Sequence, residues 1–297
     1  MDFMTKKKIL VTGCSGYIGS HLCKLLEDKY ELYGLDKSEP SFKKFTKFYP
    51  VDITSKSITT LFTPTLFYHP SDAPFDAVVH LAALMRVGES VKYPLWYYDT
   101  NIAGTVNVLK HIPARNFIFA STGAAEGCGS PYGISKRAAE DIVRELRGSN
   151  PYTIFRFYNV IGSKWGINPT NPDGLMYALV QAMETKTFTI HGNDYEESGD
   201  GTCIRDYVHV MEICNAIQMA IEKPSNSVES LGTGTGHSVS EIVNTFMQIN
   251  KCQFNVKYGP RRPGDLPCTV LKNPSSYMKK MYSFEELLKL DLTKKNI

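Results

Sequence analysis

Tyr132-Gly133-Ile134-Ser135-Lys136 sets a phenol and an ammonium four residues apart. On a helix two such side chains share one face. A cationic neighbour favours the phenolate, so the pair can serve as a general acid/base near neutral pH. The spacing alone is common, and Tyr33 with Lys37 repeats it. Context separates the two. Tyr33 falls in an expected strand, where such residues lie far apart. Tyr132 opens an expected helix just after a strand that ends on the hydroxyl pair Ser121-Thr122. Tyrosine, lysine and hydroxyl meeting at one sheet edge describe a hydride-transfer site, with Tyr132, Lys136 and Thr122 as the candidate catalytic set. The bland alternative is a surface Tyr–Lys pair.

Hydride chemistry needs a nucleotide, and Ile9-Leu10-Val11-Thr12-Gly13-Cys14-Ser15-Gly16-Tyr17-Ile18-Gly19 offers a place for one. Gly13 is expected to make the tight turn, Gly16 to let backbone approach a pyrophosphate, and Gly19 to let the helix pack close on the strand. That helix presents unpaired N–H groups and a positive dipole end to phosphate. Tyr17 and Ile18, its first residues, belong to the same cradle. A second expected strand, Glu31–Leu35, ends on Asp36, where a carboxylate can accept from adenosine ribose hydroxyls. Its charge would repel a 2′-phosphate and so favours NAD over NADP; the adjacent Lys37 softens that preference. A purely structural glycine-rich turn is the competing reading.

The elements that must hold these residues alternate strand and helix. Further strands are expected at Phe48–Val51, Ala77–Ala82, Asn116–Ala120 and Thr153–Phe157, with helices at Tyr17–Glu27, Pro94–His111 and Tyr132–Arg147. Such alternation implies an α/β fold, a doubly wound parallel Rossmann sheet that binds ligands at its carboxyl edge. After Asn159 the texture turns to loops, with a helical stretch at Leu175–Glu184 and a second loop-rich region at Gly192–Cys203. We expect a nucleotide-binding domain at 1–159 plus about 206–235. A smaller C-terminal substrate-binding lobe would take about 160–205 and 236–297.

Composition sets the outer limits. A chain of 297 residues, 42% hydrophobic, can bury a large core, and a net charge of +3 gives no case for nucleic acid. Seven cysteines, with no Cys-x-x-Cys and no metal-ligand spacing, fit reduced thiols in a cytoplasmic protein without a metal. No apolar run reaches the length of a membrane span and no signal-peptide pattern opens the chain.

Longer blocks carry a resemblance. His80-Leu81-Ala82-Ala83-Leu84, Val87-Gly88-Glu89-Ser90-Val91, Tyr97-Tyr98-Asp99 and His191-Gly192-Asn193-Asp194-Tyr195 are joined by two more discriminating ones. These are Arg205-Asp206-Tyr207-Val208-His209-Val210 and Arg261-Arg262-Pro263-Gly264-Asp265-Leu266-Pro267. From Ile9 to about Pro274 the chain resembles the extended short-chain dehydrogenase/reductases and is most similar to the UDP-galactose 4-epimerases.

The resemblance implies NAD-dependent 4-epimerisation of a UDP-hexose through a transient 4-keto sugar. Tyr132 would take and return the 4-hydroxyl proton, Lys136 would tune it and hold the nicotinamide ribose, and Thr122 would bind the same hydroxyl. Asp52 and Ile53 would frame the adenine, Leu81, Ala82, Ala83 and Asn101 would line the cofactor, and Tyr158 would contact the nicotinamide. Asn159, Leu175, His191, Arg205, Arg262 and Asp265 would hold the UDP-sugar. Arginine suits a diphosphate because its planar fork binds bidentately and stays charged. The bland readings are an Arg205 paired with Asp206 and an Asn159 that caps a turn. Thr269 falls where a family tyrosine restricts the sugar pocket, so N-acetylated sugars are expected beside UDP-glucose and UDP-galactose.

Related chemistries remain as rivals. A 4,6-dehydratase would need Asp-Glu after the active-site threonine, whereas Gly123-Ala124 follow Thr122. A one-way nucleotide-sugar reductase or dehydrogenase could use the same three residues. A catalytically silent NAD or nucleotide-sugar binder is the third reading, against which the complete set argues. Glu126 stands where relatives carry an aromatic residue, and nine residues separate Thr122 from Tyr132. Relatives form homodimers through the counterparts of Pro94–His111 and Tyr132–Arg147. Val106, Val108, Leu109, Ala138, Ala139, Ile142 and Val143 could supply that contact or could face the sheet.

Overall fold

The computed structural model describes residues 6–61, 73–262 and 265–290, which leaves Pro263 and Gly264 outside the described residues. The chain divides into two compact units, Met1–Arg156 with Cys214–Glu229, and Phe157–Ile213 with Ser230–Ile297.

The first unit is built on β1 (Lys8–Thr12), β2 (Glu31–Asp36), β3 (Lys47–Pro50), β4 (Phe75–His80), β5 (Ala114–Thr122) and β6 (Tyr152–Phe157). The chain continues through β7 (Asn159–Ile161), β8 (Thr187–His191), β9 (Ile204–His209) and β10 (Asn226–Leu231). Then come β11 (Gly236–Ser238), β12 (Asn255–Gly259) and β13 (Cys268–Thr269). Seven strands form the main sheet in the order β10-β6-β5-β4-β1-β2-β3. β1 lies between β2 and β4, parallel to both, so chain order reverses there. Ligands of doubly wound sheets bind at such a switch. Ile9, Leu10 and Val11 are wholly buried, as expected of a strand covered by helices on both faces.

The turn after β1 explains its glycines. Gly13 has φ +70°, and a methyl group there would lie 2.7 Å from Ala82 N. At Gly19 a methyl group would come within 2.2 Å of Gly13 O, so the helix Tyr17–Leu26 can approach the turn only if that side chain is absent. Leu22 and Leu26 on its inner face are fully buried.

The expected helix Pro94–His111 is helical throughout but changes register. A four-residue helix, Pro94–Tyr97, passes into a π-helical stretch, Tyr98–Ala103, before α-helix resumes at Gly104–His111. The wide turn carries Asn101 inward to 1% exposure, where its amide spans Leu84 O, Leu84 N and Ser135 Oγ. Val108, Ala139 and Val143 face the sheet as part of its core.

In the second unit β9 is central. Its first half lies between antiparallel β11 and parallel β13, and its second half pairs with β7. β8 and β12 form a separate parallel pair. Met176, Leu179, Phe246 and Leu288 are among the side chains that fill this unit's own core. Asp206 is fully buried and accepts from Thr233 N, Thr233 Oγ1, Gly234 N and Leu271 N. One carboxylate thereby ties two loops to β9.

Gly19→Ala should destabilise the protein by about 2–3 kcal/mol, the scale of overpacking a rigid site. A urea midpoint equal to that of the wild type would show that the turn can yield.

Candidate active site

β5 and the helix Pro131–Arg147 bring the acid/base set together. Ser130 caps that helix by accepting from Gly133 N, and Pro131 sits at its first position, where the missing N–H costs nothing. Consecutive strand residues point to opposite faces, and this splits the hydroxyl pair. Ser121 turns inward to Glu140, while the Thr122 hydroxyl accepts from Ala124 N at 3.3 Å and acts on the Tyr132 phenol. The decoy does not assemble: the Tyr33 hydroxyl donates to Glu31, and Lys37 is exposed.

The electrostatics differ from the expectation that Lys136 sets the tyrosine. Burial pushes the Tyr132 pKa up, and the hydrogen bond from Thr122 pulls the other way. The larger effect falls on the lysine. Lys136 is 3% exposed, and desolvation lowers its pKa to about 7 despite the opposing field of Glu140. Its ammonium lies 4.2 Å from the Phe119 ring centroid, a cation–π contact that replaces part of the lost hydration. His80, buried and pushed down to about 3 by desolvation and by Lys136, is neutral. Its ring bridges Thr12 Oγ1 at 2.7 Å and Thr105 Oγ1 at 3.0 Å, bracing the ends of β1 and β4. Tyr97 closes the other side of Tyr132 edge-on, its hydroxyl donating to Glu89 at 2.8 Å.

The residues of the nucleotide cradle fit NAD. Removing Cβ at Gly13 and Gly19 leaves backbone at the helix N-terminus, the arrangement that binds pyrophosphate. Asp36 ends β2 half-buried and accepts from Ser15 N at 3.0 Å and Ser38 N at 2.9 Å, which fixes a carboxylate beside the turn. Tyr17 and Ile18 are half-buried in the first helical turn. Leu81, Ala82 and Ala83 form the loop after β4, where Leu81 N and Ala82 N bond Thr12 O and Thr12 Oγ1. Asp52 accepts from Thr54 in a turn, whereas Ile53 points into the core against Gly104. Asn101 is likewise held by protein groups, Leu84 and Ser135.

The substrate candidates lie in the second unit. Arg205 does not pair with Asp206, whose oxygens are spent on backbone and Thr233. It pairs instead with Asp265 and also donates to Ile204 O at 2.8 Å. Asn159 Nδ2 donates to Asp206 O at 3.0 Å, a bond between neighbouring strands rather than a turn cap. Thr269 on β13 stands opposite Arg205 on β9 and is half-buried. His191 Nδ1 is 3.3 Å from Pro260 O, and Arg262 is exposed with no ion pair among the described residues. Leu175 packs on the local core, and Tyr158 N bonds Leu231 O. Tyr195 was not singled out by its sequence. It is 1% exposed, with the Arg261 guanidinium 4.1 Å above its ring and Asp194 holding that arginine. Among the described residues no His/Cys/Asp/Glu group could hold a metal ion.

The NAD dependent epimerase/dehydratase family model matches residues 9–232. The chain belongs to that family. It is 34% identical to the UDP-glucose 4-epimerase of Bacillus subtilis over 90% of this chain and 89% of that protein. It is also 34% identical to the Yersinia pestis UDP-glucose 4-epimerase, over 87% of each. Among solved structures, a Stenotrophomonas maltophila UDP-glucose 4-epimerase, with bound NAD and formylated UDP-arabinopyranose, superposes with TM-score 0.83. It shares 26% identity over 95% of this chain and 96% of that one. The UDP-Glc/GlcNAc 4-epimerase of Campylobacter jejuni gives 0.76 at 28% identity, over 95% and 96%.

A buried lysine with a lowered pKa costs stability in a defined pH window. The unfolded chain holds the Lys136 proton up to about 10.5 and the folded chain only to about 7, so stability rises as pH increases between those values. In cofactor-free protein, Lys136→Met should raise the unfolding free energy at pH 7. Its advantage over wild type should shrink by roughly 2–4 kcal/mol by pH 10. A gap that stays constant with pH, in parallel urea titrations, would contradict the burial of a titrating ammonium.

Proposed function

We propose that the protein is an NAD-dependent UDP-hexose 4-epimerase. The observation that carries this reading is Tyr132, its phenol pKa pulled down by Thr122, one helical turn from buried Lys136 in a chain of the epimerase/dehydratase family.

Bound NAD supplies a reversible hydride acceptor at sugar C4. The first unit is the cofactor domain, with the Gly13–Gly19 cradle and Asp36 holding the dinucleotide and Lys136 the nicotinamide ribose. Tyr132 accepts the 4-hydroxyl proton as the sugar becomes a 4-keto compound and returns it afterwards. Thr122 binds the same hydroxyl and, by acting on the phenol, favours its anionic form. The second unit is the substrate lobe. Arg205, oriented by Asp265, and Arg262 grip the diphosphate, which leaves the keto sugar free to turn and take its hydrogen on the other face. Cys268 and Thr269 are both small where the pocket would be gated, which supports acceptance of UDP-N-acetylhexosamines.

The protein acts in the cytoplasm as a homodimer. All seven cysteines are free, as a reducing compartment requires. Among the described residues no helix is long and apolar enough to cross a membrane. The dimer reading rests on the helices Pro94–Tyr97 and Pro131–Arg147. Leu95 (70% exposed), Trp96 (54%), Ile134 (43%) and Leu146 (57%) form apolar surface on them.

Purified protein given UDP-glucose without added cofactor should form UDP-galactose, resolved by chromatography. Tyr132→Phe should keep NAD and lose at least about a hundredfold in turnover; an active variant would refute the assignment. No epimer from wild type even with NAD added would favour a one-way reductase or dehydrogenase. Thr269→Tyr should depress turnover of UDP-N-acetylglucosamine while sparing UDP-glucose, and equal losses on both would remove the gate.

A further inference from the structure

Glu140 lies one turn beyond Lys136 and has no exposed surface. Its carboxylate accepts from Ser121 Oγ at 2.5 Å, Arg156 Nε at 2.9 Å and Arg156 Nη2 at 2.6 Å. Arg144 Nη2 stands 3.6 Å away. On the far side of Arg156, Glu126 reaches Nη1 at 3.3 Å, with its side chain 47% exposed. A line of alternating charge therefore runs from the surface to the acid/base helix: Glu126, Arg156, Glu140, Lys136.

A buried ion pair of this kind seldom adds net stability over apolar packing. What the arrangement does add is a negative field near Lys136. That ammonium has no ion-pair partner of its own among the described residues. The groups around it are His80 on β4, neutral; Phe119 on β5; and Tyr132 one turn away on its own helix. Glu140 is the anion in that set, and Arg156 on β6 and Arg144 are the cations that moderate it.

We propose that Glu140 is a positioning residue of the acid/base site, whose charge keeps Lys136 an ammonium while its grip on Ser121 sets the end of β5 that carries Thr122. Arg156 fixes the carboxylate in place, and Glu126 tempers Arg156, so that the field reaching Lys136 is not cancelled. This rests on the reading of Lys136 as the lysine of the hydride site.

The test follows Lys136 directly in NAD-loaded protein containing lysine labelled with carbon-13 at Cε, its resonance assigned by loss in Lys136→Met. Glu140→Gln should lower the Lys136 titration midpoint by about one pH unit, the effect of removing a nearby opposite charge. The alkaline limb of kcat with UDP-glucose should move down with it. Glu126→Gln, at an exposed position, should move the midpoint the same way by less. If Glu140→Gln does not fold, Glu140→Asp takes its place and should give a smaller downward shift. A midpoint unmoved in the folded Glu140 variant, whatever its stability or kcat, would reduce Glu140 to a structural clamp and overturn the proposal. The titration reads the proposal without turnover, so a wild type that fails to epimerise counts against the function alone.

Discussion

An ammonium buried in the first unit is the constraint around which its chemistry is arranged. Lys136 cannot be hydrated, so its charge must be supported by other means: the face of Phe119, the field of Glu140, and a neutral His80. Each support comes from a different element, and each must be held in turn. Thr12 and Thr105 hold His80, Arg156 and Ser121 hold Glu140, and the cap at Ser130 starts the helix in the register that sets Tyr132 and Lys136 on one face. A poised lysine opposes stability, and its surroundings keep that cost tolerable. Sites that need shifted acid/base groups generally carry such a burden.

The second unit solves a different problem with the same means. Asp206 is buried, and its carboxyl is satisfied by backbone N–H groups and a threonine rather than by the arginine beside it. Arg205 is thereby left for Asp265, with a rigid fork aimed by β9 and β13. Pre-oriented arginines lose little entropy when they take up an oxyanion. Arg261, stacked on Tyr195 and tied to Asp194, is immobilised in the same manner. Charge fixed in advance is the common theme of both units.

Family membership and geometry divide the explanation between them. The likeness to UDP-glucose 4-epimerases covers most of the chain, and the fold is shared with them. Glu126 extends the buried network to the surface. Its carboxylate pairs with Arg156, which in turn holds buried Glu140. A surface carboxylate is thus coupled to a deep site, because charges in a low-dielectric interior act over longer distances than they do in water.

Much of this was readable from the amino-acid order, for local reasons. The glycine spacing after Ile9-Leu10-Val11 demanded a tight turn and a closely packed helix, and the clashes that a methyl group would meet at Gly13 and Gly19 are its physical cause. Strand and helix alternation implied the doubly wound sheet, because a parallel pair needs a crossover. The i, i+4 spacing put Tyr132 and Lys136 on one face. Long-range pairing was not readable. Nothing local says that Ser121 turns away from Thr122 toward Glu140, that Arg156 completes that carboxylate, or that Asp265 rather than Asp206 takes Arg205. Lys136 to Glu140 repeats the same helical spacing, but spacing does not reveal burial. Nor does the helical pattern of Pro94–His111 announce the π turn that spends Asn101 on Leu84 and Ser135. Sequence determines which groups can share a turn, a face or a strand. Desolvation and the choice among competing partners belong to the tertiary structure, because both depend on what distant segments bring against the same atom.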